Sequence, residues 1–274
     1  MFKGKTFLIT GIADEQSLAM YVAKAILENG GKVVCTGLGV SKHHENLSDK
    51  AKAFLDATYA DFEASVKQGL GKQTRAEILD VTLPESIAEF CAKMQEDKIQ
   101  FDGWLHAIAM DKTIRGKQVK PLLEVSLQEF CETMDVSAFS LIKVTKALYD
   151  YDLLLPKSSI CSISYIAAAK VTFHPYRNIS IAKAALERIT IELADELGRR
   201  NGTRVNCVRF SPSMGSKAGN ATLPENDVNT AAKISPLGNA SPEDLAYDVL
   251  NLFRPNGKIT GEIRHIDGGY HIMG

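Results

Sequence analysis

Tyr176 and Lys183, in the stretch Tyr-Arg-Asn-Ile-Ser-Ile-Ala-Lys, are the pair best suited to chemistry in this chain. Residues seven apart on a helix lie almost two full turns apart, so both groups would share one face, roughly 10 Å apart along the axis. A phenol with an ordinary pKa near 10 is a weak acid, but a neighbouring ammonium favours the phenolate and makes the hydroxyl a better hydrogen-bond donor. Such a donor stabilises a developing oxyanion. Taken alone, the pair also fits a tyrosine capping a core helix and a solvated surface lysine.

The elements that must position this pair alternate between strand and helix patterns. Thr6 to Thr10 is a run of β-type residues closed by Gly11. An amphipathic helix is expected from about Ser17 to Glu28 and a second strand over Lys32 to Thr36. The right-handed crossover of this βαβ opening puts its first turn at the carboxyl edge of a parallel sheet, where nucleotides bind. The turn lacks G-x-G-x-x-G; it carries Gly11, which permits a tight bend, and Ser17, whose hydroxyl and amide could meet a pyrophosphate at the helix start. An ordinary Ser N-cap fits Ser17 as well.

Further on, a helix is expected over Asp49 to Gln68, a third strand over Ala76 to Leu79 and a helix over Pro84 to Asp97. Asp80, closing the third strand, could accept from an adenine amino group or cap the next helix. The fourth strand, Trp104 to Ile108, brings His106 to Ala109 to the same edge; a lone histidine there is more often structural than catalytic. A long amphipathic helix is expected over Ser126 to Tyr149, and a fifth strand over Ser158 to Ser164. That strand delivers Tyr165 close to where Tyr176 enters the helix of about Asn178 to Arg199. Strands over Arg204 to Phe210 and Ile263 to Ile266 complete seven, and the aperiodic stretch 211–239 is long enough for a substrate lid. The expected fold is therefore α/β: a single-domain, Rossmann-type, doubly wound parallel sheet spanning 1–274.

At 274 residues and 45% hydrophobic, the chain can bury one large core. A net charge of -1 with scattered cations argues against nucleic acid or a membrane surface as partner. The five cysteines (35, 91, 131, 161 and 207) lie far apart, which argues for buried, reduced thiols without metal. Without an apolar leader or membrane-length run, a cytoplasmic protein is expected.

Together these motifs resemble the short-chain dehydrogenase/reductase superfamily, in its NADH-type enoyl-acyl-carrier-protein reductase branch. Ordinary members carry Tyr-x-x-x-Lys and T-G-x-x-x-G-x-G. This chain instead has Gly11-x5-Ser17-x-Ala19, Tyr176-x6-Lys183 and the upstream Tyr165. Asp102 to Ile108, Ile181 to Glu187, Arg204 to Asn206 and Gly261 to Gly269 match the branch in order. The resemblance implies a homotetramer that passes hydride from NADH, or NADPH, to the β-carbon of a trans-2-enoyl thioester. Tyr176 would hydrogen-bond the thioester oxygen, Lys183 would hold the nicotinamide ribose, and Tyr165 would line the pocket or help deliver the proton. Gly11, Ser17 and Leu18 would meet the pyrophosphate, Asp80 and Val81 the adenine, and Ile108 the nicotinamide.

The departures lie on the substrate side. Tyr165 and Tyr176 are one residue further apart than in the branch, so the loop between them is altered. Where the branch has a carboxamide-binding Thr, this chain has Gly215, and Ser213 or Ser216 would replace its hydroxyl. Asp111 and Lys112 follow the fourth strand where an apolar run is usual. The stretch 220–230 has no Lys or Arg but includes Glu225 and Asp227, which weakens steering to an acidic carrier and leaves acyl carrier protein and coenzyme A both open. Two other functions compete: a carbonyl reductase on the same fold, disfavoured by the missing Tyr-x-x-x-Lys, and a nucleotide-binding homologue without catalysis.

Overall fold

The computed structural model describes residues 1–174, 176–212, 220 and 224–273. Apolar β-rich runs form the strands β1 (Thr6–Thr10), β2 (Lys32–Gly37), β3 (Arg75–Ile78), β4 (Phe101–His106), β7 (Leu154–Ser164), β8 (Arg204–Phe210) and β9 (Ile263–Ile266). They pair in parallel in the order β3-β2-β1-β4-β7-β8-β9. Chain order reverses between β1 and β4, which opens a crevice at their carboxyl ends. A two-stranded hairpin of β5 (Ile114–Arg115) and β6 (Gln118–Val119) follows β4.

Helices cover both faces. On one side α1 (Leu18–Glu28), α2 (Asp49–Leu70) and α8 (Pro242–Phe253) close a core around Phe7, Ile9, Met20, Ile26 and Phe253. On the other, α3 (Pro84–Glu96), α5 (Ser140–Asp150) and α6 (Asn178–Asn201) bury Leu8, Trp104, Leu141, Leu148 and Leu186. No helix among the described residues is long and apolar enough to cross a membrane.

Several sequence expectations are corrected. The helix expected over 126–149 is α4 (Leu127–Met134), a π-helical turn over Asp135–Phe139, and then α5. Ser137 donates its hydroxyl out of this wide turn to the Met110 carbonyl, and Ser140, at the start of α5, donates back into it to the Val136 carbonyl. β7 starts at Leu154, four residues early, because Phe101 pairs with Leu154 before the register shifts. β4 ends at His106, so Ala107 and Ile108 lie beyond the strand. The stretch 211–239 contains a helix, α7 (Glu225–Ile234), and the capped helix α8 follows it.

Candidate active site

The β1–α1 turn lies directly against the end of β4. A Cβ on Gly11, whose φ is +90°, would sit 2.2 Å from the Ala107 carbonyl oxygen, so only glycine fits here. Ser17 precedes α1 but does not use its hydroxyl as an N-cap. Its Oγ accepts from the Ala13 and Asp14 amides at 3.0 Å each and donates to Asp14 Oδ1 at 2.9 Å. Ser17 therefore uses its hydroxyl to shape the loop. The amides of Leu18 and Ala19 have no acceptor within the helix, by the geometry of any helix start, and α1 has no acid in its first turn. These amides are the groups that fit a pyrophosphate.

Asp80 is held by its own surroundings. Its Oδ1 accepts from the amide and hydroxyl of Thr82 at 2.8 and 2.6 Å, and its Oδ2 lies 3.2 Å from His44 Nε2. The cap of α3 is Leu83, without a side-chain bond, so Asp80 is not that helix's cap. Val81 is buried in the core, so only its backbone can face an adenine. Lys42 and His43, which follow the second strand, both pair with Glu89, at 2.9 and 2.8 Å.

At the carboxyl end of β4, His106 is fully buried, and burial with Lys183 nearby pushes its pKa down to about 3. Ser140 donates its hydroxyl proton to the Val136 carbonyl, so His106 Nε2 donates to Ser140 Oγ at 2.8 Å. His106 is a neutral structural residue. Ile108 is half-buried against the same core. The charges of Asp111 and Lys112 are turned to structural use. Asp111 Oδ1 accepts from the Thr113 amide and hydroxyl, and Lys112 pairs with Glu132 at 2.7 Å.

Tyr165 and Tyr176 do converge. Their rings pack edge-on with centroids 5.4 Å apart. The Tyr165 hydroxyl lies beside those of Thr172 and Tyr270, and burial there drives its pKa far above that of a free phenol. Tyr176 precedes α6 rather than riding on it. Between them stands Arg177, with φ +52° and ψ -105°. The seven-residue helical spacing to Lys183 is therefore not what aligns the pair.

Alignment comes through β7 instead. Lys183 donates its Nζ to the Ile163 carbonyl at 2.7 Å, two residues before Tyr165. Burial lowers its pKa to about 8, against the opposing pull of Cys207 and Glu187. Glu187, one turn further along α6, is buried and takes Ser164 Oγ at 2.7 Å and a two-pronged Arg209 pair at 2.8 and 2.6 Å. That network locks β7, β8 and α6 together beneath the lysine.

Sequence reading placed Asp267-Gly268-Gly269 at the close of the last strand but missed that this turn positions Tyr270. Asp267 Oδ1 accepts from the Gly269 amide at 3.1 Å and lies 2.8 Å from His271 Nδ1. A Cβ on Gly268 would fall 1.7 Å from the Gly238 carbonyl oxygen. The tight turn brings Tyr270 beside Tyr165. Ser213 and Ser216 lie outside the described residues.

Residues 11–271 match the family described as Enoyl-(Acyl carrier protein) reductase. An NADH-type enoyl-acyl-carrier-protein reductase, FabI, of Aquifex aeolicus is 30% identical over all of this chain and 94% of its own length. The FabI of Rickettsia bellii is 28% identical over all of this chain and 96% of its length. Among solved structures, a FabI–NADH complex from Alistipes finegoldii superposes with a TM-score of 0.84 at 30% identity, covering all of this chain and 90% of that one. The Gly11 turn at the switch point, the paired tyrosines and the lysine anchored on β7 thus stand on the fold their relatives share, and this chain belongs to the enoyl-(acyl carrier protein) reductase family.

Proposed function

We propose that the protein reduces trans-2-enoyl thioesters to saturated acyl thioesters with NADH. The observation that carries this reading is the meeting of Tyr165, Tyr176 and the Lys183 anchor at the carboxyl end of β7, at the rim of a nucleotide-type crevice. The backbone of Gly11, Leu18 and Ala19 would hold the pyrophosphate, Asp80 and Val81 would border the adenine, and Ile108 would border the nicotinamide. NADH, when bound, supplies the hydride that adds to the β-carbon of the enoyl thioester.

Charge then grows on the thioester oxygen, and Tyr176 donates a hydrogen bond to it. Lys183, cationic below about pH 8, holds the ribose and favours donation by the phenol. Tyr165, buried beside Thr172 and Tyr270 and disfavoured as an anion, serves as a wall and a hydrogen-bond donor rather than as a base. Tyr176 also borders a cavity of about 450 Å³ with small apolar side chains such as Ala168, Val171 and Ala184. That size suits a small-molecule site.

Several finer points belong to the same reading. The protein acts in the cytoplasm as a homotetramer, a reading supported by four buried thiols and by the exposed apolar side chains of Leu123, Leu127, Phe139 and Ile181 around α4 to α6. The stretch 211–239 is the substrate lid, and coenzyme A thioesters serve beside carrier-bound ones. Turnover of 2-enoyl chains on coenzyme A and on an acidic carrier protein, with a β-ketoacyl thioester as control, tests the proposal. Enoyl reduction alone supports it. Ketoacyl reduction alone would assign a carbonyl reductase, and NADH binding without turnover a nucleotide-binding homologue.

A further inference from the structure

His174 stands two residues before Tyr176 and is buried. Its ring packs edge-on against the Tyr176 ring, with centroids 4.9 Å apart and an interplanar angle of 87°. Its Nδ1 lies 3.0 Å from Oδ2 of Asp227, in the first turn of α7. Its Nε2 is buried without a hydrogen-bond partner among the described residues. One imidazole therefore touches the phenol on one side and grips α7 on another.

The surrounding backbone explains why a grip is needed here. Arg177, directly after Tyr176, has φ +52° and ψ -105°, outside the regions open to an ordinary side chain. A residue held that way persists only where neighbouring contacts over-determine it. Thr172 braces the other side of His174, donating its hydroxyl to the His174 carbonyl at 2.6 Å while meeting the Tyr165 hydroxyl. The extra residue between the two tyrosines is thus accommodated in a loop pinned at both phenols and at α7. Asp227, read from the sequence as an acid unfavourable to an acidic carrier, is turned inward by this contact.

We propose that the His174–Asp227 pair is a strap that positions the Tyr176 phenol and holds α7 over the thioester site. Both are positioning residues, and the role rests on the enoyl-reductase reading above. Opening the strap frees α7 and lets the Tyr176 segment relax, so substrate capture and the chemical step suffer together. NADH binding, assigned above to the β1–α1 turn, the ends of β3 and β4 and Lys183, does not.

The test pairs kinetics with hydrogen exchange on the full-length protein. His174→Ala should raise KM for the enoyl thioester and lower kcat, each by about tenfold, with the NADH Kd within about twofold, as for loss of one charge-assisted bond. His174→Asn, which restores an N–H donor near the Nδ1 position, should recover most of both. Asp227→Ala should show the same pattern at no more than the size of His174→Ala, which also loses the ring contact with Tyr176, and the double variant should be no worse than His174→Ala, because Asp227 acts only through His174. In the absence of substrate, the amides of 225–234 should exchange about tenfold faster in His174→Ala. Kinetics within twofold of wild type, multiplying losses in the double variant, an Asn variant no better than Ala, or unchanged exchange would each overturn the strap. Should the wild-type protein reduce no enoyl thioester, the reductase reading falls, and the exchange measurement still decides whether His174 holds α7.

Discussion

Replacing Lys183 with alanine removes an ammonium that donates to the Ile163 carbonyl at 2.7 Å and whose pKa burial has lowered to about 8. A charge-assisted hydrogen bond contributes about 1.5–3 kcal/mol, so losing the cation from the ribose site should weaken NADH binding roughly 10- to 100-fold. The same loss can be produced without mutation. A lowered lysine pKa means the charge is present below that value and disappears as the pH rises through it. At about one unit above the midpoint roughly a tenth of the cation remains, so the NADH Kd should rise about tenfold between about pH 7 and pH 9. Calorimetric titration of NADH across that window reads both effects. Lys183→Ala should be weak and flat with pH, while Tyr176→Phe should keep wild-type affinity and the wild-type pH dependence. A flat wild-type profile, or equal loss of affinity in the two variants, would refute the assignment of Lys183 to the ribose.

Other expectations follow from single contacts. Gly268→Ala puts a methyl into the Gly238 carbonyl at φ +62°, which should cost at least about 3 kcal/mol and lower Tm by roughly 6 °C or more in a thermal melt. Glu187→Gln leaves Arg209 without its buried carboxylate and should destabilise by about 3–5 kcal/mol in urea unfolding. Tyr165→Phe should lower kcat less than about tenfold, because the wall remains and only a hydrogen bond is lost. Dialysis against a chelator should leave turnover unchanged: the carboxylate of Asp267, between His265 and His271, is already bonded by the Gly269 amide and faced by both imidazoles.

The sheet was legible because its strands are short apolar runs punctuated by Gly, Asp or Pro. β1, β8 and β9 fall on the expected residues. α7 escaped notice because it buries only Ala231 and shows no apolar stripe, whereas α8 carried a readable Ser-Pro-Glu-Asp start that was passed over. The π turn at 135–139 shifts the apolar pattern by a single residue, too little to see against a period of about 3.6. At the site, residue types were legible but their allegiances were not. Ser17 looked like a ligand group and proves to brace its own loop, and Asp80 is taken by Thr82 and His44. His174 gave no signal, because its partner lies 53 positions away and only the fold brings them together.

The most direct test of the account is NADH oxidation by a medium-chain trans-2-enoyl thioester at saturating cofactor, comparing the wild-type protein with Tyr176→Phe. Loss of the one hydrogen bond to the developing oxyanion should lower kcat about 10²- to 10³-fold while NADH affinity stays within about twofold. A wild-type protein that oxidises no NADH, or a phenylalanine variant as fast as wild type, would contradict the placing of the chemistry at Tyr176.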